Sequence, residues 1–424
     1  MSSHSSIRKT ILDNGLIVVT EQMPYVRSVS FGVFLRTGSR HETESLNGIS
    51  HFLEHALFKG TRQRSAAQIA EESDALGGHL DAFTGKEIVG FHDKVIDEHF
   101  PRSFSLIADL ITAPAFDPTE MDKERNVILE EIKMVEDTPD DLVFELFSEK
   151  FYPDHALGRP ILGTPETLAS FSSERIRAHY ETTFQPGNLI MAAAGSISHE
   201  HLLDLVGQHF ASLKARSAAP ASPPPQSQPH ITLRHKKALE QAHLVIGAPC
   251  PPMASDDRYV AYLMSSILGG GMSSRLFQSV REDRGLVYTI FASTNAYRDC
   301  GYLNIYAGAS KENLSRTIDA TMAELRRIKK DVVGADELQR NKDQLKAGLI
   351  LNLESTSSRM SSLAQQEITF SEFMPMDEVV RQVEAVTVED IRRVANEVFQ
   401  PEALAVTLLG NIRGFKLKRD QLAC

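Results

Sequence analysis

The stretch SSERIRAHYETTFQPGNLIMAAAGSIS, starting at Ser172, lies without a gap on TVEDIRRVANEVFQPEALAVTLLGNIR, starting at Thr387. Under this single offset Glu174 meets Glu389, Ile176 meets Ile391 and Arg177 meets Arg392, while Phe184, Gln185 and Pro186 meet Phe399, Gln400 and Pro401. Leu189, Gly195 and Ile197 then meet Leu404, Gly410 and Ile412. Each copy reads as an amphipathic helix stopped before proline, followed by a short apolar strand that ends at glycine. The chain is written twice, and a repeat of this size sets the domain plan. Between the copies, Ala215 to His230 carries proline at five positions and little to bury, the composition of a semi-rigid extended linker. The expected division is residues 1–214, a linker at 215–230, and residues 231–424.

Within each half, strand and helix signals mix. Thr10 to Leu12 and Leu16 to Val19 flank Asp13-Asn14-Gly15, a hairpin signal, and Ser28 to Leu35 reads as a further strand. Helical spacing follows over Asn47 to Phe58 and Ser65 to Leu76, where Gly77 and Gly78 stop it, before a strand pair near Leu80–Thr84 and Ile88–Val95. The second half repeats the mixture, with strands near Ala242–Gly247, Val287–Ala292 and Leu303–Ala307. This non-alternating order predicts an α+β fold: two homologous domains in tandem, each a mostly antiparallel sheet packed with helices.

The length of 424 residues exceeds one compact core, and 42% hydrophobic residues suffice for two. No apolar run reaches the roughly 18 residues of a membrane span, and MSSHSSIRKT lacks the apolar core of a secretory signal, so a cytoplasmic protein without a membrane anchor is expected. The three cysteines, Cys250, Cys300 and Cys424, form no CxxC pair, which leaves His and carboxylate as the candidate metal donors. A formal net charge of −11 opposes nonspecific nucleic-acid binding and favours basic partners. The run Gly269-Gly270-Gly271 is followed by no GK[ST], so it is a permissive loop and no phosphate cradle.

His51, Phe52, Leu53, Glu54 and His55 form an HxxEH inside a helical stretch. Residues four apart share a helix face, so both imidazoles reach one ion, and Glu54 lies on much the same side, free to act on a water. This is the reversed form of HExxH, the inverzincin arrangement. The apolar neighbours Ile49, Phe52, Leu53, Leu57 and Phe58 make three ionisable groups costly to bury unless a metal satisfies them. A catalytic zinc takes a third protein ligand and keeps one open position. Glu124, Glu130, Glu131 and Glu136 are the candidates, on a probable helix beginning near Asp117-Pro118. Glu124 and Glu131, seven apart, face one way, and Glu130 points about a hundred degrees aside. The period alone does not choose between these faces. Zinc-assisted peptide-bond hydrolysis with Glu54 as general base is the chemistry that such a set suits.

The chain is similar over nearly its full length to the pitrilysin-type zinc metallopeptidases, and specifically to the short branch related to the mitochondrial processing peptidase. The likeness rests on HFLEHALFKGT from His51, GGHLDAFTGKE from Gly77, ILEEI from Ile128, VREDRGLVY from Val280 and LESTSSRM from Leu353. The resemblance implies His51, His55 and Glu131 as zinc ligands, Glu54 as general base, and Glu124 as a residue orienting a ligand histidine. It also implies that Arg281 and Tyr288 hold substrate and stabilise the tetrahedral oxyanion. Gly78, Asp81, Ala82, Phe83 and Thr84 would form an edge strand that pairs with an extended peptide. Asp81, Val89 and Phe91 depart from frequent family residues, which touches peptide positioning and leaves the zinc set intact.

Larger relatives carry four such domains closing on the peptide, so two domains here imply a homodimer with a closed chamber. An acidic interior would prefer Arg- or Lys-containing peptides or presequence-like unfolded segments. The alternative from another class is a non-catalytic peptide-binding or structural subunit of a processing-peptidase-like complex. If sites are shared between protomers, mixing Glu54→Gln with Arg281→Ala chains restores part of the activity through hybrid dimers. Mixtures that never exceed the sum of the two separate variants rule sharing out.

Overall fold

The computed structural model describes residues 7–211, 213 and 222–424. Residues 215–221 of the expected linker lie outside the described residues, and 222–230 carry no helix or strand. The chain divides into two compact units, one of residues 1–133, 160–223 and 350–375, the other of residues 134–159, 224–349 and 376–424. Both are α+β. Among the described residues no helix is long and apolar enough to cross a membrane.

The first unit is built on six strands: β1 (Ile7–Ile11), β2 (Ile17–Gln22), β3 (Ser28–Leu35), β4 (Asp81–Thr84), β5 (Val89–Ile96) and β6 (Leu189–Gly195). Their order across the sheet is β1-β2-β6-β3-β5-β4, antiparallel except for the β2–β6 pair. The hairpin read at Asp13-Asn14-Gly15 joins β1 to β2, with Gly15 at φ 90° as the turn requires. Strand β6 is buried at every position and supplies the centre. Its all-apolar run suits a strand covered on both faces. One face carries helices Ile49–Leu57, Phe100–Thr112 and His199–Phe210 over a core that includes Phe31, Phe52, Phe100 and Phe104.

Five strands form the sheet of the second unit: β7 (Ile231–His235), β8 (Ala242–Pro249), β9 (Val287–Ala296), β10 (Gly301–Ala309) and β11 (Ala405–Gly410), in the order β7-β11-β8-β10-β9. The repeat read in the sequence is the same piece of architecture in both. Helices Ser173–Thr183 and Val388–Val398 feed β6 and β11, and each of these strands pairs parallel on one side and antiparallel on the other. Even the chain exits agree: Ile197 N donates to Gly195 O, and Ile412 N to Gly410 O, both at 2.9 Å. Strand β7 begins one residue after the stretch read as linker; polar Thr232, Arg234 and His235 conceal it, and its partner β11 lies far along the chain.

A cut at 215–230 does not reproduce the compact units, because each half of the chain sends one helix to the other unit. Helix Thr356–Phe370 covers the face of β2, β3 and β6 opposite the main core, where Met360, Leu363 and Ala364 meet Val19, Phe34 and Ile190. Ionic contacts hold it as well, since the buried Glu367 carboxylate binds Lys9 at 2.7 Å and Arg36 at 3.1 Å. Helix Pro139–Phe151 does the same in the second unit, where Val143, Phe147 and Phe151 pack on Val245, Tyr302 and Leu409. A sheet with two apolar faces demands cover on both, and the amphipathic spacing of these helices provides it without recording where along the chain the partner lies. Leu363→Ala is expected to destabilise the protein by about 2–5 kcal/mol. Hydrogen exchange should then report the loss of protection in β2 and β6; loss confined to residues 224–349 would contradict this packing.

Candidate metal centre

Helix Ile49–Leu57 is fixed at its start before any metal is considered. Gly48 holds φ 92°, and a side chain there would come within 2.6 Å of Gly163 Cα. The unpaired N–H groups of the first turn are taken by one carboxylate: Glu42 Oε2 accepts from Gly48 N at 2.9 Å and Oε1 from Ser50 N at 2.8 Å. Burial pushes the Glu42 carboxyl above its usual range, and these backbone hydrogen bonds pull against it. Ile49, Phe52, Leu53, Ala56 and Leu57 point into the core. That leaves His51, Glu54 and His55 together on the remaining face; among the described residues they are the cluster of potential ligands, with donor atoms within 4.8 Å of one another.

Helix Pro118–Asp137 presents Glu124 and Glu131 to this face, the choice that periodicity left open. Glu131 Oε2 lies 3.7 Å from His51 Nε2, and Glu131 Oε1 lies 3.7 Å from His55 Nε2. Both separations exceed a hydrogen bond. Glu124 Oε2 stands 3.1 Å from His55 Nδ1, and a carboxylate there accepts from Nδ1 and leaves Nε2 turned toward Glu131. The other oxygen of Glu124 binds Lys59 Nζ at 2.8 Å. Burial, and then the neighbouring His55, push His51 down to about 4, so its imidazole is neutral and able to ligate. His51 Nδ1 is buried without a hydrogen-bond partner. The Nε2 atoms of two imidazoles and the oxygens of one carboxylate thus converge on one space without a hydrogen bond among them, an arrangement that a divalent cation satisfies. Glu130 points away and pairs with Lys133 at 2.7 Å on the surface, and Glu136 is likewise exposed.

Glu54 shares this face with the two histidines. Its carboxyl is pushed up by burial, and Thr84 Oγ1 opposes this by donating a short hydrogen bond to Oε2. Thr84 ends β4, which pairs with β5 on one side and with no described strand on the other. Asp81 and Phe83 are exposed along that free edge and Ala82 is turned inward. Gly78 precedes the strand; a side chain there would meet Val95 and Asp93, so its smallness has a packing cause. Val89 and Phe91 are buried in the core. Beside Glu54, Leu35, Leu53, Phe91, His179 and Phe184 line a partly open cavity just about large enough for one water.

Arg281 and Tyr288 belong to the second unit. Arg281 lies in a π-helical turn, Phe277–Glu282, a rare geometry often found at functional sites. Its guanidinium stacks over the Phe277 ring at 4.5 Å and the Tyr288 ring at 5.4 Å. The Tyr288 ring is 75% exposed although it stands on a strand. Gly269 ends helix Arg258–Gly269, and a side chain there would strike the backbone of Ala292 on β9, a requirement invisible in a run of three glycines. Sequence reading missed the contacts of Glu42, Lys59 and His179; Lys59, four residues after His55, carried the only positional signal.

Burial depresses the His179 imidazole to about 4. The unfolded chain, at an ordinary value near 6.5, therefore binds a proton that the folded chain refuses. This contribution to stability is complete above pH 6.5 and declines as pH falls toward 4. His179→Phe is expected to reduce the drop in urea midpoint between pH 7.5 and pH 4.5. An undiminished drop would show that the histidine is not held neutral by burial.

The comparisons agree with this architecture. Residues 17–165 match the family model described as insulinase (peptidase family M16), and residues 170–345 the model described as peptidase M16 inactive domain. A Bacillus subtilis protein named uncharacterized zinc protease YmxG is 42% identical over 94% of this chain and 98% of its own length. A Streptomyces coelicolor protein, also named an uncharacterized zinc protease, is 38% identical over 93% of this chain and 87% of its own. In fold, a protease from Helicobacter pylori matches with a TM-score of 0.89 at 24% identity, over 95% of this chain and 99% of that one. A Pseudomonas fluorescens structure described as a peptidase M16 inactive domain matches with the same score at 18% identity, over 95% and 98%. With full-length relatives above 30% identity and both family models matched in order, the chain belongs to peptidase family M16.

Proposed function

We propose that the protein is a zinc-dependent endopeptidase that cleaves peptides or unfolded segments. The observation that carries this reading is the convergence of His51 Nε2, His55 Nε2 and the Glu131 carboxylate, with Glu54 beside them. His51, His55 and Glu131 would hold the zinc, and the naming of the relatives as zinc proteases supports that choice of ion. When bound, zinc supplies Lewis acidity to the attacking water and the scissile carbonyl.

The chain's own residues do the rest. Glu54 takes the proton from the water and returns it to the leaving amine; a carboxyl raised by burial suits both steps, and the Thr84 hydroxyl fixes its orientation. Glu124 holds His55 in the tautomer that ligates. The free edge of β4 pairs with the backbone of an extended peptide, which gives affinity with little demand on sequence. Because Thr84 belongs to both, the strand that would receive the peptide also sets the angle of the base. Arg281, stacked against two rings, and the exposed Tyr288 hydroxyl, both from the other protomer of the dimer, would donate to the developing oxyanion. A homodimer with a closed chamber, located in the cytoplasm, completes the proposal.

The test joins metal analysis to hydrolysis of a quenched fluorescent peptide rich in Arg and Lys. The wild type is expected to carry one zinc per chain and to cleave. Glu54→Gln should keep the zinc and lose activity by about 10²–10⁴-fold, whereas Glu131→Gln should lose both. Zinc-loaded Glu54→Gln as active as the wild type would sink the assignment.

A further inference from the structure

Past its last helical turn the HxxEH helix places one more charge against the site. Lys59 Nζ lies 2.8 Å from Glu124 Oε1, while Glu124 Oε2 accepts from His55 Nδ1 at 3.1 Å. The two oxygens of one carboxylate are thereby divided between a cation and an imidazole. The Glu124 side chain is only 6% exposed, and that of Lys59 is 30% exposed. A buried carboxylate with a single neutral donor has no fixed rotation about its last bond and no balancing charge. Anchored at one oxygen by an ammonium, it presents the other at one angle. Lys59 N in turn donates to Ala56 O at 3.2 Å, so the lysine starts from a backbone position that the helix end defines.

We infer that Lys59 is a positioning residue for the metal centre, acting through Glu124 to hold His55 in its ligating orientation. The inference rests on the reading of His55 as a zinc ligand. Its path is Lys59 to Glu124 to His55, with no contact between Lys59 and the ion. An ammonium that served only to steady the fold would affect stability and leave zinc affinity alone. One that acts along this path affects zinc affinity, and only while Glu124 is present.

Zinc affinity is measured by competition with a chromophoric chelator for wild type, Lys59→Met, Lys59→Arg, Glu124→Gln and the double variant Lys59→Met with Glu124→Gln. Lys59→Met is expected to bind zinc about 10-fold or more weakly, in line with the loss of other groups that orient metal ligands. Lys59→Arg, still cationic, should remain close to wild type. In the Glu124→Gln background, Lys59→Met should add nothing further. Affinity within twofold of wild type for Lys59→Met, or an equal loss in both backgrounds, overturns the inference. If Lys59→Met does not fold, Lys59→Gln carries the same expectations. A wild-type chain that binds no zinc refutes the metal reading itself, a result distinct from any pattern among the variants.

Discussion

Two helices press three electron-rich groups into one partly buried space, and everything proposed for this protein depends on that crossing. His51 and His55 are held in register by a helix whose first turn is bound to Glu42 and whose apolar face is sunk in the core. Glu131 arrives from a separate helix, and its oxygens stop 3.7 Å from each imidazole. At that separation the groups gain no hydrogen bond from one another, and partial burial limits their contact with water. A divalent cation among them would offset that cost.

Much of the scaffold is legible in the sequence because its signals are local. Strand β3, the β1–β2 hairpin and the β4–β5 pair show their alternation, turn residues and boundaries within a few positions. The duplication is legible too, since matching residues at one offset need no structural knowledge. Strand β7 and the exchanged helices Pro139–Phe151 and Thr356–Phe370 are not, for a different reason. Strand β7 is hidden by its polar residues and a partner far along the chain, whereas the helices' amphipathic spacing says that one side must be covered and is silent about which sheet covers it.

The site divides along the same line. HxxEH is readable because both imidazoles lie on one short helix. The third carboxylate is not settled by helix period: Glu124, Glu130, Glu131 and Glu136 are all candidate donors until a second helix meets the first. The crossing then sends Glu130 out to Lys133 and brings Glu131 in. Thr84 was legible as part of an edge strand, but its hydrogen bond to Glu54 joins residues thirty apart in sequence and has no local signature. The second unit makes the contrast sharper. Between β8 and β9 it keeps a helix, Arg258–Gly269, where the first unit carries its histidines, and fills it with Val260, Leu263, Met264 and Ile267. The same topology serves packing alone when the donors are absent.

The exchanged helix at residues 356–370 has a consequence for biosynthesis. One face of the first sheet, with Val19, Phe34 and Ile190, finds apolar cover in Met360, Leu363 and Ala364, with Ile368 and Phe373 beside them. During translation that face therefore emerges, pairs its strands and stays bare until most of the polypeptide has left the ribosome. Contacts spanning more than three hundred residues close late, because loop entropy must be overcome first. A nascent chain in this state displays a greasy sheet to its neighbours, which links the architecture of the finished protein to the hazards of its making.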